Sequence, residues 1–164
     1  VGGSHEFMSN GALMLDHRTM MHYMATGITP AMAQSAVGQG SAYAFTPHDA
    51  KGRYLDGGRT YCVTLPAPVP AAEFWSFVVY SGQHRGLLET DQKSAGVDSL
   101  SPDLKANPGG SYTVWFAPTA PAGKEGNWVQ TMPGKSWSVL VRLYGPLEPW
   151  FEKTWKPGDI ELVT

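Results

Sequence analysis

The sequence predicts a mainly β fold: a jelly-roll-like antiparallel β-sandwich with two short helices at its N-terminal end. Three observations carry that prediction. Charged residues make up only 16% of the 164 residues, while 19 Gly and 13 Pro supply turns. From Ser41 onward the hydrophobic pattern alternates by two in short runs separated by Gly and Pro corners. One of these runs, SWSVLVRLYG, places Trp137, Val139, Val141 and Leu143 on one wholly apolar face.

The first eight residues, VGGSHEFM, read as a vector-derived tag, which leaves a single domain over 9–164. The native N-terminus then lies outside the sequence, so a periplasmic or secreted origin stays open. Asp16 can cap a helix HRTMMHYMAT that ends at Gly27 and carries Leu13, Met20 and Met24 on an apolar stripe. A second helix has Thr29 as N-cap, Pro30 in its first turn and Gly38 at its exit. His17 and His22 are too far apart in phase to share a helix face, which argues against a metal pair.

The strands follow in order. SAYAFTP is the first. Turn chemistry at Asp49, Gly52 and Asp56-Gly57-Gly58 leads to RTYCVTL, with Tyr61, Val63 and Leu65 on one side. PAPVPA cannot continue a ladder and marks a corner or edge. EFWSFVVYSG is apolar on both faces and should be central. A long polar stretch from Gly82 to Gly110 reads as loop, then SYTVWFAP is the fourth strand and SWSVLVRLYG the fifth. KPGDIELVT adds an edge strand at the end.

A net charge of −2 offers no footing for nucleic acid. No stretch is long and apolar enough for a membrane span. Cys62 is the single cysteine and sits within a strand, so neither a disulfide nor an activated thiol is expected. There is no G-x-S-x-G elbow, no zinc spacing and no phosphate loop, and hence no metal or cofactor is expected.

The segments ATGITPAMA, LDGGRTYCVTLP, PAAEFWSFVVYSGQHRGLLETDQ, APAGKEGNWVQTMPGKSW and RLYGPLEPWFEKTWKPGDIE, in that order, resemble the DUF1214 family. The resemblance covers about Asp16 to Val163. It implies a jelly-roll β-sandwich that usually forms the C-terminal part of longer bacterial proteins carrying a DUF1254 domain in front of it. It implies no activity. Where the family often carries Asp after the central strand, Ser81 stands here.

Two classes of function remain open. The first is a module that packs on a partner domain, such as a DUF1254-like one, or forms a homo-oligomer through its Met-rich surface, and binds a small ligand. The second is a hydrolase built on the loop SGQHRGLLETDQ, with His84 and Glu89 or Asp91 as acid–base groups and Arg85 holding an anion. Arg85 and Asp91 can equally pair to tie the loop down. Gln92, Asn127, Trp128, Arg142 and Tyr144 complete the candidate ligand-binding set. For Asn127 and Trp128 the competing roles are a turn and a plug. The aromatics Tyr43, Tyr61, Trp75, Trp115, Trp137, Trp150 and Trp155 offer a stacking platform or core. Arg142, mid-strand between Leu140 and Tyr144, is expected to pair with Asp91 or Glu89, since an unpaired buried guanidinium is costly.

Overall fold

Alternation by two gives each strand one apolar face, and two such sheets meet face to face. The computed structural model describes residues 36–164, together with 8–9, 12–13, 19 and 22. Its strands are β1 (Met8–Ser9), β2 (Ala12–Leu13), β3 (Ser41–Thr46), β4 (Tyr61–Leu65), β5 (Trp75–Ser81), β6 (Gly96–Asp98), β7 (Tyr112–Ala117), β8 (Trp128–Gln130), β9 (Trp137–Tyr144) and β10 (Glu161–Leu162). One sheet has the order β3-β9-β5-β6, the other β10-β4-β7-β8, and β1 and β2 pair with each other.

The first sheet is antiparallel throughout, with β9 and β5 at its centre. In the second, β10, β4 and β7 are antiparallel, but β7 and β8 run parallel, with Trp115 opposite Trp128. This corrects the expectation of purely antiparallel sheets. Residues 118–127 carry the chain back to the start of β7 before β8 begins, so β8 must run the same way. The fold is therefore a mainly β pair of sheets with little helix. The two helices expected over 16–38 are not shown. That segment lies mostly outside the described residues, and its end at Val37–Gly38 is a turn.

The core is the facing surfaces of the sheets. Trp137, Val139, Val141 and Leu143 are all buried, as their spacing requires, and meet Tyr61, Val63, Leu65, Val114 and Phe116 from the other sheet. Edge-to-face ring pairs join the two layers: Phe77 and Phe116 have centroids 5.9 Å apart, Trp75 and Tyr112 5.0 Å, Tyr61 and Trp137 5.7 Å. After β9, Gly145 turns the chain at φ 61° into a short helix, Glu148–Phe151, with Pro149 in its first turn. Trp150 and Trp155 then close one side of the sandwich, their rings 6.3 Å apart, and the Trp155 indole N–H donates to the Pro66 carbonyl.

Candidate functional site

Three places gather chemistry-bearing side chains, and the fold treats each differently. The first is the loop after β5. His84 is exposed, and its backbone N–H donates to the Ser81 hydroxyl. Its imidazole meets no carboxylate among the described residues. Arg85 is also exposed and takes φ 59° as its N–H donates to the Ser81 carbonyl. Glu89 points outward, while Asp91 accepts a hydrogen bond from the Gln130 amide at 3.3 Å. The loop thus brings together neither an acid–base dyad nor the Arg85–Asp91 tie. What holds it is Gln92. The Gln130 N–H donates to Gln92 Oε1, and Gln92 Nε2 donates to the Trp128 carbonyl at 3.3 Å. The Gln92 side chain therefore stands in for a neighbouring strand along the open edge of β8.

Asn127 and Trp128 sit at the start of that same strand. Asn127 is buried, and its amide is fully used: Oδ1 accepts from the Lys105 N–H (2.8 Å), and Nδ2 donates to the carbonyls of Lys105 (2.8 Å) and Thr113 (2.9 Å). The Trp128 indole donates to the Ala117 carbonyl at 2.9 Å. With every polar atom engaged inside the chain, Asn127 has nothing left for a ligand.

The second place is the outer face of the first sheet. Strand pairing sets Tyr43 opposite Arg142, and Phe45 and Val78 on either side of Leu140. These residues, with Tyr80 and Tyr144, are all half-buried. The Arg142 guanidinium lies 4.6 Å from the Tyr43 ring centre and 5.3 Å from that of Tyr144, and Nη1 donates to the Tyr144 hydroxyl at 2.6 Å. Phe74 stacks on Tyr144 at 3.9 Å. Arg142 Nε is buried and has no hydrogen-bond partner among the described residues. Neither Asp91 nor Glu89 reaches it, which corrects the expected ion pair. The ion pairs among the described residues are Asp49–Arg53 at 2.7 Å and Asp56–Arg59 at 3.9 Å. Burial works against the Arg142 charge, but the Tyr144 hydrogen bond and the phenol groups of Tyr43, Tyr144 and Tyr80 outweigh it and hold its pKa above the ordinary value. Sequence alone could place Arg142 and Tyr144 on one face. Tyr43 joins them only through the pairing of β3 with β9.

The third place escaped the sequence reading. A cavity of about 370 Å³ opens between the sheets beside β3. Its floor is Val63, Phe77, Val139 and Val141, and Trp150 and Trp155 form a wall. His48, Asp49, Lys153, Lys156 and Asp159 also line it. Of these, Asp49 is fully committed: Oδ1 accepts from the N–H groups of Lys51 and Arg53, and Oδ2 from Arg53 Nε. No run of sequence announces such a cavity, because its walls come from five separate segments.

Cys62 faces outward on β4 opposite Glu161, and burial, then that carboxylate, pushes its thiol pKa up. It is a poor nucleophile. No group of three or more His, Cys, Asp or Glu among the described residues could hold a metal ion. No helix among them is long and apolar enough to cross a membrane.

These features define a mainly β domain of two facing sheets with little helix. The chain belongs to the DUF1214 family, described as a protein of unknown function, whose model matches residues 40–148. No curated protein matches it. Among solved structures it is similar to the VPA0106 protein from Vibrio parahaemolyticus, with TM-score 0.70 and 21% identity, covering 94% of this chain and 36% of that one. It also matches an uncharacterised protein from Burkholderia cenocepacia at TM-score 0.45 and 26% identity, covering 75% of this chain and 29% of that one. The chain spans about a third of the length of the solved proteins it matches.

Proposed function

We propose that this domain is a non-catalytic β-sandwich module that docks onto a partner domain through the outer face of β3, β9 and β5. The observation that carries this reading is Arg142: a guanidinium bedded on Tyr43 and Tyr144, with a buried, unbonded Nε and no carboxylate among the described residues. Leaving such an Nε unbonded costs free energy, and the guanidinium charge favours an acidic partner. Arg and Tyr at the centre of an apolar patch are also what protein interfaces concentrate at their energetic centres. A partner presenting an Asp or Glu against this face would complete it. The length of the Vibrio protein, of which this chain covers 36%, supports a domain that lives beside others. A DUF1254-like domain is the partner class that the family resemblance implies. The hydrolase alternative on His84, Arg85 and Asp91 gains no support from a loop that keeps those groups apart.

The test is calorimetric titration of the chain with a DUF1254-type domain, with light scattering of each alone. Binding that Arg142→Glu weakens at least tenfold supports the reading. A concentration-dependent homodimer abolished by the same substitution would replace the partner domain with a second copy. Binding unchanged in Arg142→Glu, or neither hetero- nor self-association, overturns it.

A further inference from the structure

The outer face of the first sheet does not end at Arg142. Strand register sets Leu140 beside Phe45 and Val78, with Gly96 of β6 next to Val78. Here an open recess of about 370 Å³ lies between β5 and β6. Outward-facing Val78 and Tyr80 from β5 and Leu87 from the following loop give it apolar surface, while Lys93 and Asp98 bring one charge of each sign. Leu87 is held in place. It bridges Tyr80, the Ser81 N–H donates to the Gly86 carbonyl, and the Leu88 N–H donates to the Val79 carbonyl. Leu88 is buried at 6% exposure, which turns Leu87 outward at 62%. Gly96 brings no side chain to this face, and a Cβ there would strike the Phe77 carbonyl, so the place beside Val78 stays bare. Phe45, Leu140, Val78, Tyr80 and Leu87 thus form one apolar band that runs past Arg142 into the recess.

Whatever covers this band must satisfy its own backbone groups. An extended segment would have to join a sheet edge, and the edge beside the recess is taken. The Ser94 hydroxyl donates to the Gly96 carbonyl at 3.3 Å, and the Asp98 N–H donates to the Ser101 hydroxyl at 3.2 Å. A helix satisfies its backbone internally and is an element that covers sheet faces. From Arg142 to Leu140 along β9 is about 6.7 Å and each strand crossed adds about 4.8 Å, so Arg142 stands about 8 Å from Val78 and about 12 Å from Gly96. Two helical turns, about seven residues, rise about 10.5 Å and return a side chain to the same face. We infer that the docking element is an amphipathic helix of the partner, a step that rests on the docking reading above. Its Asp or Glu meets Arg142, and a Leu or Phe two turns away sits in the recess. The carboxylate answers the guanidinium that has none among the described residues, and the apolar side chain fixes the helix against sliding along the band.

The probe is the DUF1254-type domain, titrated into the whole chain by calorimetry, with hydrogen exchange of the partner followed in the complex. Leu87→Gln changes an exposed side chain without adding charge and should weaken binding about tenfold. Ser94→Trp, at an exposed position on the recess, should fill it and weaken binding as much, with circular dichroism confirming its fold. Exchange should slow over one helix of the partner that carries an acidic and a large apolar residue two turns apart. Replacing that acidic residue by Arg should restore binding to Arg142→Glu. Binding that Arg142→Glu weakens but that Leu87→Gln and a folded Ser94→Trp leave unchanged overturns the inference and leaves the docking face standing. Protection over an extended segment of the partner, in place of a helix, does the same. Self-association in place of partner binding overturns the inference as well. If the chain associates with nothing, the docking reading falls together with it.

Discussion

Asn127 shows what a single side chain can settle. Its amide mimics a strand residue, satisfying both backbone groups of Lys105 and the carbonyl of Thr113 in a site where water is scarce. Asn127→Ala strands all three, and a buried unsatisfied group costs about 1–3 kcal/mol. The variant should lose about 2–3 kcal/mol in a urea melt, and a loss below about 0.5 kcal/mol would remove the structural role. Arg142 runs the other way. With no carboxylate among the described residues to strand, Arg142→Ala gives up two ring contacts and one hydrogen bond to Tyr144. The expected cost is about 1–2 kcal/mol. A loss of about 3–5 kcal/mol, the range for breaking a buried ion pair, would mean that Arg142 has an acidic partner within the chain.

At the scale of elements, the turn between β3 and β4 is held by one carboxylate. The Asp49 side chain is 2% exposed and accepts from Lys51, Arg53 backbone and Arg53 side chain. Burial alone would raise its pKa, but the Arg53 guanidinium and the backbone N–H groups prevail and hold the carboxyl below the usual range. A carboxyl whose folded pKa is depressed contributes stability that is present above its unfolded value near 3.9 and is lost as pH falls through the folded value. Urea midpoints measured from pH 6 down to pH 2.5 should therefore fall more steeply for the natural chain than for Asp49→Asn. Parallel curves would show that Asp49 contributes nothing to the acid dependence. The same turn places His48 and Asp49 along the cavity, so the carboxylate that holds the connection from one sheet to the other also shapes its lining.

At the scale of the molecule, the two sheets are joined mainly by aromatic rings. Phe116 is wholly buried and touches both Phe77 (5.9 Å) and Trp137 (5.0 Å) across the interface. Phe116→Ala should cost about 3–5 kcal/mol, transfer and cavity terms together. Because both layers lean on this ring, near- and far-ultraviolet dichroism should still melt together at a lower midpoint. Separate transitions for the two signals would show that the sheets are independently stable. Slack beside β3 lies at the opposite extreme of packing, and the contrast between a filled centre and an open flank is what singles out the cavity.

The long strands were legible because their periodicity is local. Trp137, Val139, Val141 and Leu143 alternate within eight residues, and their burial follows from the pleat. The same logic found β3, β4, β5, β7 and β10, while the family followed from the order of longer motifs. It missed β6 and β8, three-residue strands with one buried residue each, Val97 and Val129, which are too short to show a period. It also missed the parallel pairing of β8, since direction depends on where a loop returns. For the site, local sequence proposed a catalytic loop, whereas the fold spread His84, Glu89 and Asp91 outward and gave Gln92 to the edge of β8. Only tertiary structure could bring Tyr43 to Arg142, across nearly a hundred residues of chain, or leave the gap under Trp150 and Trp155. Local alternation decides which face of a strand is buried. Which strands become neighbours, and where their packing falls short, is decided by contacts between residues far apart in the chain.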